Sequence, residues 1–386
     1  MARRRFRTIG AVTVAGLLLA GCLKFDVDHL SSDAMGGRAN GTAGSVAAQD
    51  HLVGYLSQWG VGANQTATGT AAFRQPFSGG TNIIGIVPGS DLADEYVIVG
   101  AHYDGLGGSC EDLDPADSIC NGATDNGTGV AAALAVARSL AYAPTPPRRS
   151  VVFAFWDREE DGLLGSRHFL ANPLVPLEDV VAYVNFDIQG ANLRASLREV
   201  TFAIGAETGG TRLQAMVAAA SGPTALDTRS FSQVFGQGRS DHAPFIGAGI
   251  PTVFFSDSTG PCYHTDMDDP EIVDHTKLKQ QVGTARRLVV DLATTSSPPV
   301  FASGQPVATY ADAATLADVA NRFVEVDDLP PAVRTEVLAH RDAVNGVVAD
   351  GEGAFDSGDI TTVLLAALDM VEALTYGPCE GFLPPS

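Results

Sequence analysis

Val151-Val-Phe-Ala-Phe-Trp-Asp-Arg-Glu-Glu-Asp-Gly-Leu-Leu-Gly-Ser166 is the stretch from which the fold can be read. The apolar run Val151 to Trp156 predicts a buried strand. It ends in two adjacent carboxylates, Glu159 and Glu160, and then Gly162 and Gly165 lead into an amphipathic segment. Charge placed that abruptly at the end of a core strand is costly unless something compensates it. A metal ion is the evident compensation, so the remaining ligands should lie where other buried strands end.

Working outward from that run, apolar segments alternate with helical ones. Strands are predicted over Asn82–Pro88, Glu95–Ala101 (running into His102-Tyr-Asp104), Val180–Phe186 (entering Asp187), near Val200–Ile204, and over Pro251–Phe255, which leads to Tyr263-His-Thr265. Helices are predicted over Gly44–Trp59, Val130–Tyr142, Ser166–Leu170, Thr211–Ala220 and Leu278–Leu292. Gly238–Pro244 reads as a loop, and Leu30–Gly44 as a glycine-rich loop. The latter lacks the Lys-Ser/Thr ending and the preceding strand of a phosphate cradle. Alternating strands and helices argue for a layered α/β fold with a largely parallel sheet, in which ligands gather beyond the carboxyl ends of strands. Thr294–Gln305 reads as a linker. Ala311–Val324, Pro331–Val348 and Ile360–Tyr376 predict a helical tail packed on the main domain, without a cluster of metal-type ligands.

The formal charge of −21 argues against a nucleic acid or an anionic membrane surface as electrostatic target. Residues 1–22 read as an export signal. Arg3, Arg4, Arg5 and Arg7 precede a short apolar run, Ile9–Ala20, which ends in Leu19-Ala20-Gly21-Cys22. That ending resembles a bacterial lipoprotein signal, with Cys22 as the lipidated residue. Membrane attachment through Cys22, on the periplasmic or cell-surface side, is the expectation. Export places the other cysteines, Cys110, Cys120, Cys262 and Cys379, in an oxidising compartment, where three pairings are open. Cys110 with Cys120 is the local pairing; Cys262 with Cys379 would then tie the tail to the core.

His102, Asp125, Glu159/Glu160, Asp187 and His264 each have an ordinary structural reading when taken singly. Asp125, for example, sits in a Gly/Asn turn of the kind Asp favours. Together they are chemically complete. Two histidines, two single carboxylates and one bridging carboxylate make two three-ligand zinc sites, each with an open position for water. One glutamate remains as general base, and Asp104 can orient the His102 imidazole.

The ordered pieces Ala101-His-Tyr-Asp104, Gly122-Ala-Thr-Asp-Asn-Gly-Thr-Gly129, Glu159-Glu-Asp-Gly-Leu-Leu-Gly-Ser166, Asn185-Phe-Asp187, Arg239-Ser-Asp-His-Ala-Pro-Phe245 and Tyr263-His-Thr265 resemble the M28 family of zinc peptidases, the co-catalytic aminopeptidase type. The likeness runs over about residues 28–292. It implies a three-layer zinc-exopeptidase fold with a mostly parallel central sheet, over 23–293, followed by a linker (294–309) and a small all-helical region (310–386). It implies two Zn2+ ions. His102 and Asp187 would hold one and Glu160 and His264 the other, with Asp125 bridging. Glu159 becomes the general base, Asp104 sits behind His102, Tyr263 hydrogen-bonds the oxyanion, and Arg239 contacts the peptide substrate. The stretch between His102 and Asp125 is wider than in compact members of the family. It contains Cys110 and Cys120, and is expected to form part of the rim and narrow the opening.

The same scaffold resembles that of glutaminyl cyclases, which use one zinc and release ammonia. Carboxypeptidase or amidohydrolase chemistry is a further reading within the fold. A non-catalytic binding protein is the reading from another class, disfavoured because all five ligands and the base are present. No protein partner can be inferred.

Overall fold

The computed structural model describes residues 22–62, 68–114, 116–323, 329–376 and Cys379. The segment ahead of Cys22 therefore lies outside the described residues. Among the described residues no helix is long and apolar enough to cross a membrane.

The centre is an eight-stranded sheet built from β1 (Arg74–Phe77), β2 (Gly80–Val87), β3 (Leu92–His102), β4 (Arg149–Trp156), β5 (Val180–Phe186), β6 (Val200–Ile204), β7 (Asp227–Phe231) and β8 (Thr252–Ser256), in the order β1-β2-β4-β3-β5-β8-β6-β7. β4, β3, β5 and β8 are mutually parallel. Antiparallel β1 and β2 flank them on one side; β6 joins β8 antiparallel on the other. β4 is buried at every position, as expected for a strand covered on both faces, which has no solvent side to alternate toward.

Residues of opposite parity along the strands feed two cores. Val97, Val99, Val151, Phe153 and Phe155 pack on one face with α2 (Ala43–Gln58), α3 (Thr128–Ala141), α5 (Gly210–Ser221) and α7 (His275–Thr294). Ile98, Val152, Ala154 and Trp156 pack on the other with α4 (Leu164–Ala171) and α6 (His242–Gly247). Phe153 and Phe155 are fully buried, each stabilising the fold by about 1.5–3 kcal/mol. Residues 22–30, ahead of α2, form α1.

The helical tail comprises α8 (Tyr310–Arg322), α9 (Pro331–Asp350) and α10 (Ser357–Leu374). Phe202, Ile204, Phe231 and Phe254 of the sheet share one apolar core with Leu316, Ala317, Val363 and Met370 of the tail. Polar ties reinforce it. Asp312 accepts hydrogen bonds from the Ser232 amide (2.8 Å) and hydroxyl (2.7 Å), and Arg322 pairs with Asp227 at 2.5 Å. Contrary to the reading of the tail as free of metal-type clusters, Glu336, His340 and Asp369 meet near the surface. His340 Nε2 pairs with Asp369 Oδ2 at 2.6 Å. The grouping was hidden because Asp369 arrives from the next helix.

β1 and β7 are additions to the expected strands. Both sit at sheet edges and lack a long apolar run, so propensity alone does not mark them. Gly238–Pro244, expected as a loop, ends in α6 from His242 onward.

Two disulfides form, Cys110–Cys120 and Cys262–Cys379, spanning 10 and 117 positions. The second fastens the chain beyond α10 to the residue preceding Tyr263. Chain entropy makes the wider crosslink worth more: roughly 4–5 kcal/mol for a 100-residue loop against about 3 kcal/mol for a 15-residue one. The Cys262→Ser/Cys379→Ser double variant is therefore expected to lose more unfolding free energy in urea than Cys110→Ser/Cys120→Ser. The opposite order would show that the tail docks independently of its crosslink.

Candidate active site

The parallel strands deliver their carboxyl ends to one edge. His102 closes β3, paired in register with Trp156 of β4. Asp187 follows β5, and Glu159 and Glu160 follow β4 after a short turn. Asp125 comes from the turn ahead of α3, and His264 from the segment after β8.

His102 Nε2 stands 3.1 Å from Asp125 Oδ1 and 3.4 Å from Asp187 Oδ1. His264 Nε2 stands 3.1 Å from the other oxygen, Asp125 Oδ2, and 3.4 Å from Glu160 Oε2. Two clusters that share one carboxylate result, His102–Asp125–Asp187 and Asp125–Glu160–His264, and a third grouping, His102–Glu159–Glu160, sets Glu159 beside both. Donor atoms around a tetrahedral zinc, with bonds of about 2.0–2.1 Å, are roughly 3.3 Å apart. His102 Nε2, His264 Nε2 and Asp187 Oδ1 are buried with no hydrogen-bond partner, which is costly unless another group meets them. Each cluster thus fits a divalent cation of zinc type with a coordination position left open.

The electrostatics are tightly coupled. Burial, and then the charge on Asp125, push Glu160 up to about 7. Burial also pushes Glu159 well above the carboxylate range, opposed by His102 and helped by Asp187, Asp241 and Glu160. Burial works against the charge on His264, yet the close carboxylates of Asp125 and Glu160 draw it up to about 10. The two imidazoles, one close to each oxygen, overcome burial and hold Asp125 below the usual carboxylate range.

Asp104 holds two parts together. Its Oδ1 accepts from the Glu159 amide (3.1 Å), its Oδ2 from the Glu160 amide (3.3 Å), and Oδ1 lies 3.5 Å from His102 Nδ1. Gly162 (φ +102°) and Gly165 then turn the chain into α4; a Cβ at Gly165 would lie 2.3 Å from Asn82 Oδ1. Arg158, Ile188 and His264 are non-glycine residues with left-handed φ of 59°, 58° and 57°. They fall beside Glu159, beside Asp187 and on a candidate ligand. Strain of roughly 1–3 kcal/mol per residue is held where surrounding structure fixes the chain.

Tyr263 and Arg239 border a cleft of about 560 Å³ that also holds Asp125, Glu159, Glu160 and Asp187. Tyr263 stacks on His264 with ring centroids 3.7 Å apart. Burial, then the charge on Asp125, push its hydroxyl pKa far up, so it stays protonated. Arg239, exposed at the rim, donates to the Tyr263 oxygen at 3.4 Å. The Tyr263 proton is thereby left for another acceptor. The Cys110–Cys120 loop was expected to narrow the opening; among the described residues it lines no part of this cleft. Instead it braces the His264 segment. The Glu111 amide donates to the His264 carbonyl (2.9 Å), and the Asp266 carboxylate accepts from the Leu113 and Asp114 amides. Cys22 is half-buried, its Sγ 2.7 Å from Arg138 Nη1.

Several supporting residues escaped the sequence reading. Asp268 accepts from the Thr124 and Asp125 amides at 2.8 and 3.0 Å and so sets the Asp125 turn. In sequence it belongs to an acidic run that reads as surface. A buried chain of hydrogen bonds links Trp156, Tyr183, Asn185 and Ser240. Arg38, within the glycine-rich loop, is fully buried. It donates to the carbonyls of Leu30, Tyr103, Asn121 and Gly122, and so ties the neighbour of His102 to the approach to Asp125. Arg38→Met is expected to lower unfolding free energy by about 3 kcal/mol, because charged hydrogen bonds are lost and carbonyls are stranded. Arg38→Lys should not rescue it, since one ammonium cannot span that planar fork. Wild-type stability in the lysine variant would contradict this account.

Residues 82–289, more than half of the chain, match the profile of Peptidase family M28. The chain belongs to peptidase family M28. A curated relative, leupeptin-inactivating enzyme 1 of Streptomyces exfoliatus, is 32% identical over 231 residues, which is 56% of this chain and 43% of that protein. This M28 chain thus spans less than half of that relative's length. Its fold is shared with the Legionella pneumophila LapA aminopeptidase (TM-score 0.58, 19% identity, 77% of this chain and 79% of that one). It is shared equally with Porphyromonas gingivalis glutaminyl cyclase (TM-score 0.55, 22% identity, 70% and 97%). α1, α2 and the α8–α10 tail lie outside the M28 match.

Proposed function

We propose that this chain is an exported di-zinc aminopeptidase. One observation carries the reading: the two oxygens of Asp125 each face a different histidine, with Glu159 beside both clusters. His102 and Asp187 would hold one ion, Glu160 and His264 the other, and Asp125 both. Bound there, the ions supply Lewis acidity and lower the pKa of water. Glu159 accepts the proton of the attacking water and passes it to the leaving amine. Tyr263 donates a hydrogen bond from its hydroxyl to the carbonyl oxygen as negative charge grows there, and Arg239 orients that hydroxyl. Asp104 keeps His102, Glu159 and Glu160 in register. The carboxylates lining the cleft favour a substrate that enters with a charged amino terminus.

Export is supported by the two disulfides, which persist in oxidising compartments. Cys22, outside both pairs, remains available for a lipid anchor. Pyroglutamate formation is the second reading, because a cyclase shares the fold; the shared Asp125 favours the two-ion peptidase.

Three peptides test the choice: one with a free amino terminus, its N-acetylated twin, and one beginning with glutamine. The aminopeptidase reading requires cleavage of the first and resistance of the second. Equal cleavage of both sinks it, and pyroglutamate from the third without hydrolysis of the first favours the cyclase.

A further inference from the structure

The two histidines of the centre are held in different ways. His102 ends β3 and pairs in register with Trp156 of β4, so the sheet itself fixes it. His264 lies in the irregular segment after β8, and its φ of 57° is left-handed. A non-glycine residue keeps that conformation only where its surroundings hold it. On one side of His264 the hold is the disulfide from Cys262 to Cys379. On the other it is the Cys110–Cys120 loop. Glu111 forms a short parallel bridge with Thr265: its amide donates to the His264 carbonyl at 2.9 Å, and its carbonyl accepts from the Asp266 amide at 3.1 Å. Asp266 is buried, and its Oδ2 accepts from the Leu113 and Asp114 amides, each at 2.9 Å. The loop has little of its own to keep that shape, since no described side chain from 108 to 119 is buried. Its ends are closed by the disulfide and by the Cys120 amide on the Gly107 carbonyl at 2.6 Å. Ordering a chain segment costs conformational entropy, and a crosslink lowers that cost by limiting what the open loop can sample.

We propose that the Cys110–Cys120 loop positions His264 for its metal ion, and that the loop disulfide makes occupancy of the His264–Glu160 half of the centre dependent on oxidation. The proposal rests on the two-ion reading and adds its regulation. Glu111 and Asp266 are the positioning residues; neither belongs to a metal-type cluster. Opening the loop releases the His264 carbonyl and the Asp266 carboxylate from their amide partners. The imidazole then loses its fixed approach to Asp125 and Glu160, whereas His102, held by the sheet, keeps its own. A small reductant reaches this crosslink first, because Cys110 is half-buried while Cys262 and Cys379 are buried. A phosphine with water, or a dithiol, supplies two electrons and two protons. The S–S bond becomes two thiols, and the phosphine oxide or the dithiol's own disulfide is formed. The chain thus holds its second ion tightly only where the loop is oxidised, as in the compartments where disulfides persist.

The test is a zinc titration against a competing chelator dye, run on the oxidised protein, on protein reduced with a phosphine and on Cys110→Ser/Cys120→Ser. The phosphine is chosen over a dithiol, which would itself chelate zinc. Thiol alkylation and mass spectrometry confirm that only Cys110 and Cys120 have opened. The ion on the His264 side should bind at least about tenfold more weakly, the loss that marks removal of an outer-shell partner, with the other ion unchanged. Asp266→Ala cuts the same brace but leaves the disulfide, so it should reproduce the effect; thermal unfolding shows that each variant is folded. Glu160→Ala, which keeps only the ion on the His102 side, should be indifferent to the phosphine. Unchanged affinity at the second site in folded, opened protein overturns the proposal, as does an equal loss at both sites. Amide hydrogen exchange on metal-free protein separates this failure from that of the two-ion reading. Two tight zinc ions in every form, with exchange at Leu113, Asp114 and Asp266 unmoved by reduction, overturn the brace and leave the two-ion reading intact. Faster exchange there on reduction, in a chain that never takes a second zinc, upholds the brace and overturns the two-ion reading together with the metal dependence built on it.

Discussion

Glu159→Gln is expected to lower kcat/KM for peptide hydrolysis by about 10³-fold, within the 10²–10⁴ range of general acid–base catalysis, while leaving bound zinc unchanged. Glu159 is 8% exposed and is not needed to complete either cluster, His102–Asp125–Asp187 or Asp125–Glu160–His264. Its backbone amide is fixed by Asp104 Oδ1 at 3.1 Å, and the amide side chain of glutamine keeps the shape. What the variant loses is the capacity to take and return a proton. Metal content by elemental analysis and steady-state rates on the same preparation separate the two effects. Full activity in Glu159→Gln would remove Glu159 from the mechanism. Loss of zinc along with activity would make it a ligand instead.

Asp125→Ala should have the larger structural consequence, since it alone reaches both clusters. Asp125 Oδ1 and Oδ2 lie 3.1 Å from His102 Nε2 and His264 Nε2. Removing it strips each cluster to one imidazole and one carboxylate, too few for a three-ligand catalytic site. Affinity for both ions is expected to fall beyond the roughly 100-fold that marks loss of an outer-shell partner, with activity lost alongside. A ligand present at 100 times its Kd stabilises a fold by about 2.7 kcal/mol. Chelation should therefore lower the wild-type Tm, and added zinc should restore it. The Tm of Asp125→Ala should respond to neither. Glu160→Ala touches only the second cluster and should leave one ion in place. Equal zinc content in all three proteins would contradict the shared-carboxylate arrangement.

Much of this site was legible because it obeys one local rule. Buried parallel strands present apolar runs, and any charge that ends such a run stands out. His102, Glu159/Glu160 and Asp187 follow β3, β4 and β5 in this way, and the shared edge of the sheet brings them together. Asp125 and His264 were legible only through their motifs, since neither follows a strand directly. The supports were not legible, for physical reasons. Arg38 sits in a glycine-rich segment that reads as solvated, and its four carbonyl partners come from three separate places in the chain. Asp268 looks like surface charge until its amide partners at 124 and 125 are known. β7, Asp227-Thr-Arg-Ser-Phe231, is polar because it is an edge strand whose charges pair with Asp318 and Arg322 of the tail. The tail shows amphipathic helices in sequence, but amphipathicity does not say what covers the apolar face. Only the packed structure joins that face to β6 and β7.

The most direct test of the account is the zinc content of the purified wild-type protein, measured by elemental analysis after dialysis against metal-free buffer. Two zinc ions per chain is the predicted result. A chain that binds no zinc yet cleaves peptides with a free amino terminus would contradict it.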